Sequence, residues 1–236
     1  NKGYPVILGN ANNLYVDFAY TPLYHDRGHI WGGYLDEHKS FSLLPYNVYR
    51  SARTNIKGER MNLDSLEQGR VTLTEEGRAN IIGVQTQLFS ETLRSASWFE
   101  YYIFPKMLGM AERGWNAQTE WETMHGEKER QAFNADLNYF YKWIALAEMP
   151  WLDHKDINFH LMPPGIAVRN GKLFLNSRIE GATLRYTLDG SEPTATSKQW
   201  TEPVAVPADA TIRARVFYLN KESLPVSFAQ TSEADN

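Results

Sequence analysis

The chain has 236 residues, 42% of them hydrophobic and 22% charged, and its formal net charge is −4 at pH 7. This balance is that of a folded globular protein, and the small negative charge excludes a basic surface for nucleic acid. No apolar run reaches the roughly 18 residues that a membrane-spanning helix needs. The absence of cysteine excludes disulfides and thiolate chemistry. Aromatic residues make up 13% of the chain, which is compatible with stacking against sugar rings.

The first sixty residues combine short apolar runs with polar loops. Residues 5–8 and 14–18 have strand length and β-favouring side chains, and the turn-rich residues 9–13 separate them. Residues 21–60 form a long irregular stretch rich in Gly, Tyr, Pro and Asn. A loop of this length in a compact domain is usually functional or disordered.

A strand followed by a helix is predicted next. Residues 81–89 predict a strand, and residues 97–113 predict a helix that Pro105 kinks. A strand, a polar loop and a helix form the repeating unit of a (β/α)₈ barrel, also called a TIM barrel.

The second half of the chain changes from helical to strand-like periodicity. Residues 127–148 predict a helix with one apolar stripe, which consists of Phe133, Leu137, Phe140, Tyr141 and Ile144. Beyond about residue 157, short alternating strands follow, including residues 183–187 and 211–217. Asn170-Gly171 and Asp189-Gly190 are strong hairpin signals, so this part predicts a small β-sandwich.

Three motifs in the first half carry polar and aromatic residues at fixed spacing. They are Leu-Tyr-Val-Asp-Phe at residues 14–18, Arg-Gly-His-Ile-Trp-Gly-Gly at 27–33, and Gln-Leu-Phe-Ser-Glu-Thr at 87–92. Further on, residues 102–115 contain Tyr-Ile-Phe-Pro-Lys and Ala-Glu-Arg-Gly-Trp, and residues 186–194 read Tyr-Thr-Leu-Asp-Gly-Ser-Glu-Pro-Thr. Together these stretches resemble the family 20 glycoside hydrolases, chitobiase-type β-N-acetylhexosaminidases.

The resemblance implies the C-terminal part of a (β/α)₈ barrel followed by an immunoglobulin-like β-sandwich, an α/β plus all-β architecture. Residues 1–116 are expected to supply the last strands and helices of the catalytic barrel, 117–157 a helical extension and 158–236 the sandwich. The remaining N-terminal half of the barrel is expected outside this chain. Export to a bacterial periplasm or cell surface is likewise an expectation from the resemblance.

The chemistry implied by the resemblance is substrate-assisted retention, in which the substrate's own acetamido oxygen attacks the anomeric carbon. An adjacent Asp-Glu pair orients the acetamido group and protonates the leaving oxygen. The single Asp-Glu dipeptide here, Asp36-Glu37, follows the tryptophan loop and is interpreted as a loop charge pair. The catalytic pair is therefore expected to be missing from this chain.

Three polar site residues are predicted from the resemblance. Tyr15 would donate its hydroxyl to the acetamido oxygen and so act in catalysis. Asp17, placed on the same strand face two residues later, and Glu91 would accept hydrogen bonds from sugar hydroxyls. The alternatives are a core tyrosine at a strand end and two solvated surface carboxylates.

Two aromatic residues complete the predicted substrate-binding set. Trp31 would stack on the sugar next to the cleaved bond, and the alternative is a tryptophan that only anchors its loop. Phe89 stands where the family has tryptophan, which removes ring area and an N–H donor from the pocket for the terminal sugar. The substrates implied are oligosaccharides that contain N-acetylhexosamine.

No metal or other cofactor is predicted. His25 and His29 have the i, i+4 spacing of a helical zinc pair, but the stretch is loop-like, and neither they nor His38 form a His-Glu-x-x-His motif. The leading prediction is part of an exo-acting β-N-acetylhexosaminidase, inactive as this chain alone. The alternative is a non-catalytic carbohydrate-binding or interaction module, with the sandwich as the binding part.

Overall fold

The computed structural model describes residues 3–23, 26–55 and 58–229, and these residues separate into two compact units. Unit 1 comprises residues 1–140 and 157–159, and unit 2 comprises residues 141–156 and 160–236. The predicted domain boundaries at 116/117 and 157/158 stay a prediction.

Unit 1 contains a parallel strand pair covered by helices. Strands β1 (Val6–Leu8) and β2 (Ile81–Val84) pair in parallel, with Leu8 opposite Val84. The helices follow in chain order: α1 Ala11–Leu14, α2 Glu37–Phe41, α3 Leu63–Glu67, α4 Glu75–Ala79, α5 Ala96–Ile103, α6 Lys106–Trp115 and α7 Gly126–Trp143, of which residues 141–143 belong to unit 2. Two single 3₁₀ turns lie at Val48–Ser51 and Glu120–Thr123.

Packing of α2 against α6 forms much of the core of unit 1. A side chain at Gly109 would come within 2.6 Å of the Phe41 backbone nitrogen, so glycine allows the two helices this close contact. Phe41 stacks on Phe140 with ring centroids 4.6 Å apart, and Trp121 lies within 5.0 Å of Phe133. The predicted apolar stripe of α7 is therefore confirmed as a core-facing surface up to Phe140.

Several sequence predictions for unit 1 are confirmed and two are wrong. The strand at 5–8 is confirmed, and the helix predicted at 97–113 is interrupted at Pro105, giving α5 and α6. Residues 14–18 are not a strand, because Leu14 ends α1 and residues 15–18 turn between two isolated bridges. The irregular stretch 21–60 contains helix α2, which sequence reading missed.

Unit 2 begins with helical residues and continues as a sheet-rich fold. After α7 the helical backbone continues through a π turn, Ile144–Glu148, into α8 (Met149–His154), so Pro150 does not end it. Pro150 lies in the first turn of α8, where its missing N–H is tolerated.

The strands of unit 2 form two sheets. Their bounds are β3 Gly165–Arg169, β4 Lys172–Asn176, β5 Thr183–Thr187, β6 Lys198–Gln199, β7 Val204–Ala205, β8 Thr211–Tyr218, β9 Lys221–Glu222 and β10 Val226–Ala229. One sheet has the order β3-β4-β7, and the other has β10-β8-β5-β6 with β9 paired to β8. The core between them contains Leu173, Leu175, Tyr186, Ile212 and Ala214.

One predicted hairpin of unit 2 is confirmed and one is wrong. Asn170 and Gly171 have φ values of 50° and 66° and connect the antiparallel strands β3 and β4, as a two-residue hairpin turn requires. Asp189-Gly190 forms no tight hairpin, because the long loop of residues 188–197 connects β5 to β6. In this strand pair Tyr186 lies opposite Lys198. Gly190 instead donates its N–H to the Thr211 carbonyl.

Candidate active site

Three chain segments that are far apart in sequence meet at residues 15–18. Tyr15 forms a parallel bridge with Gln87, which follows β2, and Phe18 forms one with His29. The Val16 N–H donates to the Gln87 carbonyl at 2.9 Å, and the His29 N–H donates to the Asp17 carbonyl at 2.8 Å. The three motifs from the sequence are therefore joined through their backbones.

Glycine at position 28 permits this junction. Gly28 has φ of 123°, a conformation that side-chain-bearing residues rarely adopt, and a Cβ there would lie 2.6 Å from the Asp17 carbonyl oxygen. Any larger residue would push the tryptophan-bearing loop away from residues 15–18.

The aromatic residues predicted for the site form one cluster. Tyr15 contacts Phe89 and Trp31, with ring centroids 5.4 Å and 6.2 Å apart. Phe18 lies beneath, 4.9 Å from Trp31 in an edge-to-face arrangement. Trp31 and Phe89 are 67% and 45% exposed, whereas Phe18 is fully buried. The cluster thus presents two ring surfaces to solvent on a buried aromatic base.

The carboxylate of Asp17 is buried without a hydrogen-bond partner among the described residues. Asp17 is 1% exposed, and neither of its carboxylate oxygens has a partner within the described chain. Burial raises the pKa of Asp17, and the charges of His29 and Lys106 oppose this shift. A buried acceptor left unpaired is costly in the free protein, and such a group is suited to meeting a donor on a ligand.

Glu91 lies beside the cluster in an exposed position. Its Oε2 is 3.7 Å from Nε2 of His29, and its side chain is 67% exposed. Its charge further raises the pKa of Asp17. The structure therefore brings together all five predicted residues, with Asp17 below the surface and Glu91 at its edge. Because residues 15–18 turn, Tyr15 and Asp17 do not share a strand face, and that part of the prediction is wrong.

The tryptophan-bearing loop is held by contacts that the sequence did not reveal. The Arg27 guanidinium lies 4.3 Å from the ring centroid of Trp98 on α5. The Tyr101 hydroxyl donates to Asp26 at 2.7 Å, and Asp26 also accepts from the Thr21 N–H. Cation–π and buried hydrogen-bond contacts of this kind fix a loop without any local sequence signal.

Asp36 and Glu37 do not form the expected loop charge pair. Asp36 caps α2, since its Oδ1 accepts the Lys39 N–H at 2.9 Å, and Glu37 is the first residue of that helix and 1% exposed. An aspartate at the N-cap satisfies a free backbone donor, which accounts for its presence here.

Within the described residues, no group of three or more His, Asp or Glu side chains could hold a metal ion. His29 contacts Glu91, and His38 packs edge-on against Phe133. His25 lies outside the described residues. No helix in the described part of the chain is long and apolar enough to cross a membrane.

Two cavities lie in unit 1. One of about 270 Å³ is bordered by Gly32, Tyr34 and Arg53, and one of about 490 Å³ by Tyr46, Tyr49 and neighbouring residues. None of the five predicted residues lines either cavity.

Comparison with known proteins assigns both parts of the chain to described families. Residues 1–118 match the glycosyl hydrolase family 20 catalytic domain, and residues 162–228 match the chitobiase/beta-hexosaminidase C-terminal domain. The matched regions contain, respectively, the candidate site and the strands of unit 2.

Curated relatives of the chain are bacterial proteins. The chain is 30% identical over 200 residues to an N,N'-diacetylchitobiase of Vibrio harveyi, covering 80% of this chain and 22% of that protein. It is 29% identical over 211 residues to a beta-hexosaminidase of Vibrio vulnificus, with 80% and 24% covered. It is 31% identical over 153 residues to beta-hexosaminidase B of Pseudoalteromonas piscicida, with 64% and 19% covered.

The matched part spans only about a fifth to a quarter of the length of these relatives. The catalytic-domain match nevertheless extends over half of the chain and includes all three site motifs. The chain belongs to glycosyl hydrolase family 20.

Proposed function

We propose that this chain is the C-terminal part of an exo-acting β-N-acetylhexosaminidase that removes terminal N-acetylglucosamine or N-acetylgalactosamine. The observation that carries the proposal is the cluster of Tyr15, Trp31 and Phe89 on the same backbone junction as Asp17, whose buried carboxylate has no hydrogen-bond partner among the described residues. Ring surfaces beside a buried acceptor suit a sugar, which presents C–H faces and hydroxyl donors.

Each residue has a role in the proposed reaction. The Tyr15 hydroxyl would hold the acetamido oxygen as it attacks the anomeric carbon and would stabilise the charge that develops. Asp17 and Glu91 would accept hydrogen bonds from sugar hydroxyls, and Trp31 would stack on the sugar next to the cleaved bond. Phe89 would close the pocket around the terminal sugar.

The general acid would come from an Asp-Glu pair outside this chain. Asp36 and Glu37 have structural roles in helix α2, because Asp36 caps the helix and Glu37 is buried in its first turn. The matched region covers only 22% and 24% of two relatives, which are therefore four to five times longer than it. Their length supports a longer full-length protein.

Exposed apolar side chains on both strands of the parallel pair support the barrel proposal. Ile7 and Ile82 are 54% and 66% exposed although they lie in parallel strands. Parallel sheets are almost always covered on both faces. We infer that β1 and β2 are late strands of a (β/α)₈ barrel. In this proposal residues 1–116 belong to the barrel, residues 117–157 form a helical extension, and residues 158–236 form an immunoglobulin-like sandwich.

A purely sugar-binding sandwich is less well supported. Tyr186 is buried in the core of unit 2, and Trp200 packs against that core and donates its indole N–H to the Leu173 carbonyl. The Tyr218 hydroxyl donates to the Ala145 carbonyl. These rings are engaged in the fold, which favours the enzyme over the binding module. We also propose export to the periplasm or cell surface, where the proposed substrates, chitin oligosaccharides, would be met.

The acetamido group supplies the test. The full-length protein should hydrolyse a 4-nitrophenyl N-acetyl-β-glucosaminide but not the corresponding β-glucoside, because the latter lacks the internal nucleophile. Tyr15→Phe should lower kcat, whereas Tyr139→Phe, at a tyrosine that is 74% exposed on α7, should not. Equal turnover of the two substrates would exclude the substrate-assisted mechanism.

A further inference from the structure

The turn at residues 15–18 depends on one distant side chain. The Tyr15 carbonyl accepts from the Phe18 N–H at 3.2 Å and the Asp17 carbonyl accepts from the His29 N–H at 2.8 Å. The other two carbonyls, of Val16 and Phe18, accept from Nζ of Lys106 at 2.8 Å and 2.5 Å. The ammonium therefore lies between the carbonyls on either side of Asp17.

Lys106 is completely buried at the start of α6. It is 0% exposed, and its Nζ lies 3.7 Å from the ring centroid of Tyr20. The Tyr20 hydroxyl donates in turn to the Phe104 carbonyl at 2.7 Å, which ties the ring to the segment leading into α6. Two carbonyls and an aromatic face provide directed partners for the ammonium.

A buried cation is expensive, and an apolar side chain of similar length would fill the same space at lower cost. Burial lowers the pKa of Lys106 to about 7. The ammonium nevertheless provides what an apolar side chain cannot, namely N–H donors for the Val16 and Phe18 carbonyls. Among the described residues these two carbonyls have no other hydrogen-bond partner.

We propose that Lys106 is a positioning residue for the hydrolysis: its ammonium fixes the turn at Val16 and Phe18 and thereby holds Tyr15 and Asp17 in their working positions. This inference rests on the proposed function. Lys106 contacts neither the exposed ring surfaces nor solvent, so it acts through the turn.

The charge of Lys106 has a second effect, on the ionisation of Asp17. The charges of Lys106 and His29 lower the pKa of Asp17, whereas burial and the charge of Glu91 raise it. The charges of Asp26, Glu37, Asp36 and Asp17 each favour the charged form of Lys106. Removing the ammonium should therefore raise the pKa of Asp17 further and shift the acid limb of the pH profile to higher pH.

The experiment compares Lys106→Met with wild type in the full-length enzyme, using the aryl N-acetylglucosaminide over a range of pH. A displaced catalytic group commonly costs on the order of 10²-fold in rate, so kcat/KM should fall by about that factor. The acid limb of the profile should move to higher pH. The matched control is Arg113→Met, which removes another buried cation from α6. The Arg113 guanidinium packs on Phe41 and Trp121 and not on the turn at residues 15–18.

A purely structural lysine would lower stability without moving the pH profile. An unmoved acid limb in Lys106→Met, with a loss of kcat/KM no larger than in Arg113→Met, would overturn the proposal. If Lys106→Met does not fold, Lys106→Arg replaces it and should keep the acid limb but lose kcat/KM, because the planar guanidinium cannot occupy the same position. Wild-type kcat/KM in that variant would also overturn the proposal. Failure of the wild-type enzyme to cleave the substrate would instead refute the proposed function.

Discussion

Replacing Asp17 by asparagine separates a binding role from a structural one. In a structural role a buried carboxylate has partners and its loss destabilises the protein. Asp17 is 1% exposed, with no partner for either oxygen among the described residues. An unsatisfied buried polar group costs about 1–3 kcal/mol, and more when it is charged. We therefore expect Asp17→Asn to leave the full-length protein as stable as wild type or more stable.

The pH dependence of this gain follows from the raised pKa of Asp17. The folded protein retains a proton on Asp17 at pH values where the unfolded chain, with a pKa of about 3.9, has lost it. The stability that this group contributes is then fully present below the unfolded value and declines as pH rises through the folded pKa. Asparagine does not titrate, so the gain of Asp17→Asn should be largest at neutral pH and absent near pH 3.

Catalysis should change in the opposite direction. A hydrogen bond to a charged acceptor contributes about 1.5–3 kcal/mol, so losing it from the transition state corresponds to roughly 10- to 150-fold lower kcat/KM. Thermal unfolding midpoints at several pH values and steady-state kinetics on the aryl substrate measure both effects. Asp136→Ala, which removes the acceptor of the Trp121 indole N–H, is the control and should lose stability but not activity. A less stable Asp17→Asn with wild-type kcat/KM would refute the reasoning.

Three further outcomes are expected. Phe89→Trp should lower KM for the terminal sugar through a larger ring face and an added N–H donor, and an unchanged or higher KM would show a pocket adapted to phenylalanine. Glu129→Ala should destabilise unit 1 by about 3–5 kcal/mol, because Glu129 pairs with the Arg53 guanidinium, which packs on the Phe133 ring with little exposure to solvent. A change of less than about 1 kcal/mol in the free energy of unfolding by denaturant would contradict this expectation. Residues 158–236 expressed alone should give a cooperative thermal transition by circular dichroism, and a non-cooperative signal would show that the sandwich needs the rest of the chain.

Local sequence signals predicted the elements that depend on local chemistry. Asn170-Gly171 specifies a turn with two positive φ values, and Pro105 lacks the N–H that would continue α5, so both features follow from the residues themselves. The apolar stripe of α7 follows from the 3.6-residue period. The N-cap at Asp36 was missed, although an aspartate before a helix-compatible stretch is the usual signal.

The geometry of the site depends on contacts between distant segments, which composition and period do not contain. Residues 15–18 have β-favouring side chains, yet they form a turn because their carbonyls are bound by His29 and Lys106. The motif resemblance predicts Tyr15 and Asp17 as site residues. It did not indicate that a buried ammonium on another helix lies under the turn that carries them.

We propose that this chain supplies substrate-holding residues of a hexosaminidase whose general acid lies elsewhere in the full-length protein. The most direct measurement compares the 236-residue chain with the full-length protein on a chromogenic N-acetylglucosaminide. We expect turnover by the full-length protein and none by the chain, since general acid assistance alone contributes about 10²–10⁴-fold. Comparable turnover by the chain would refute this proposal and would make Asp36 and Glu37 the catalytic pair.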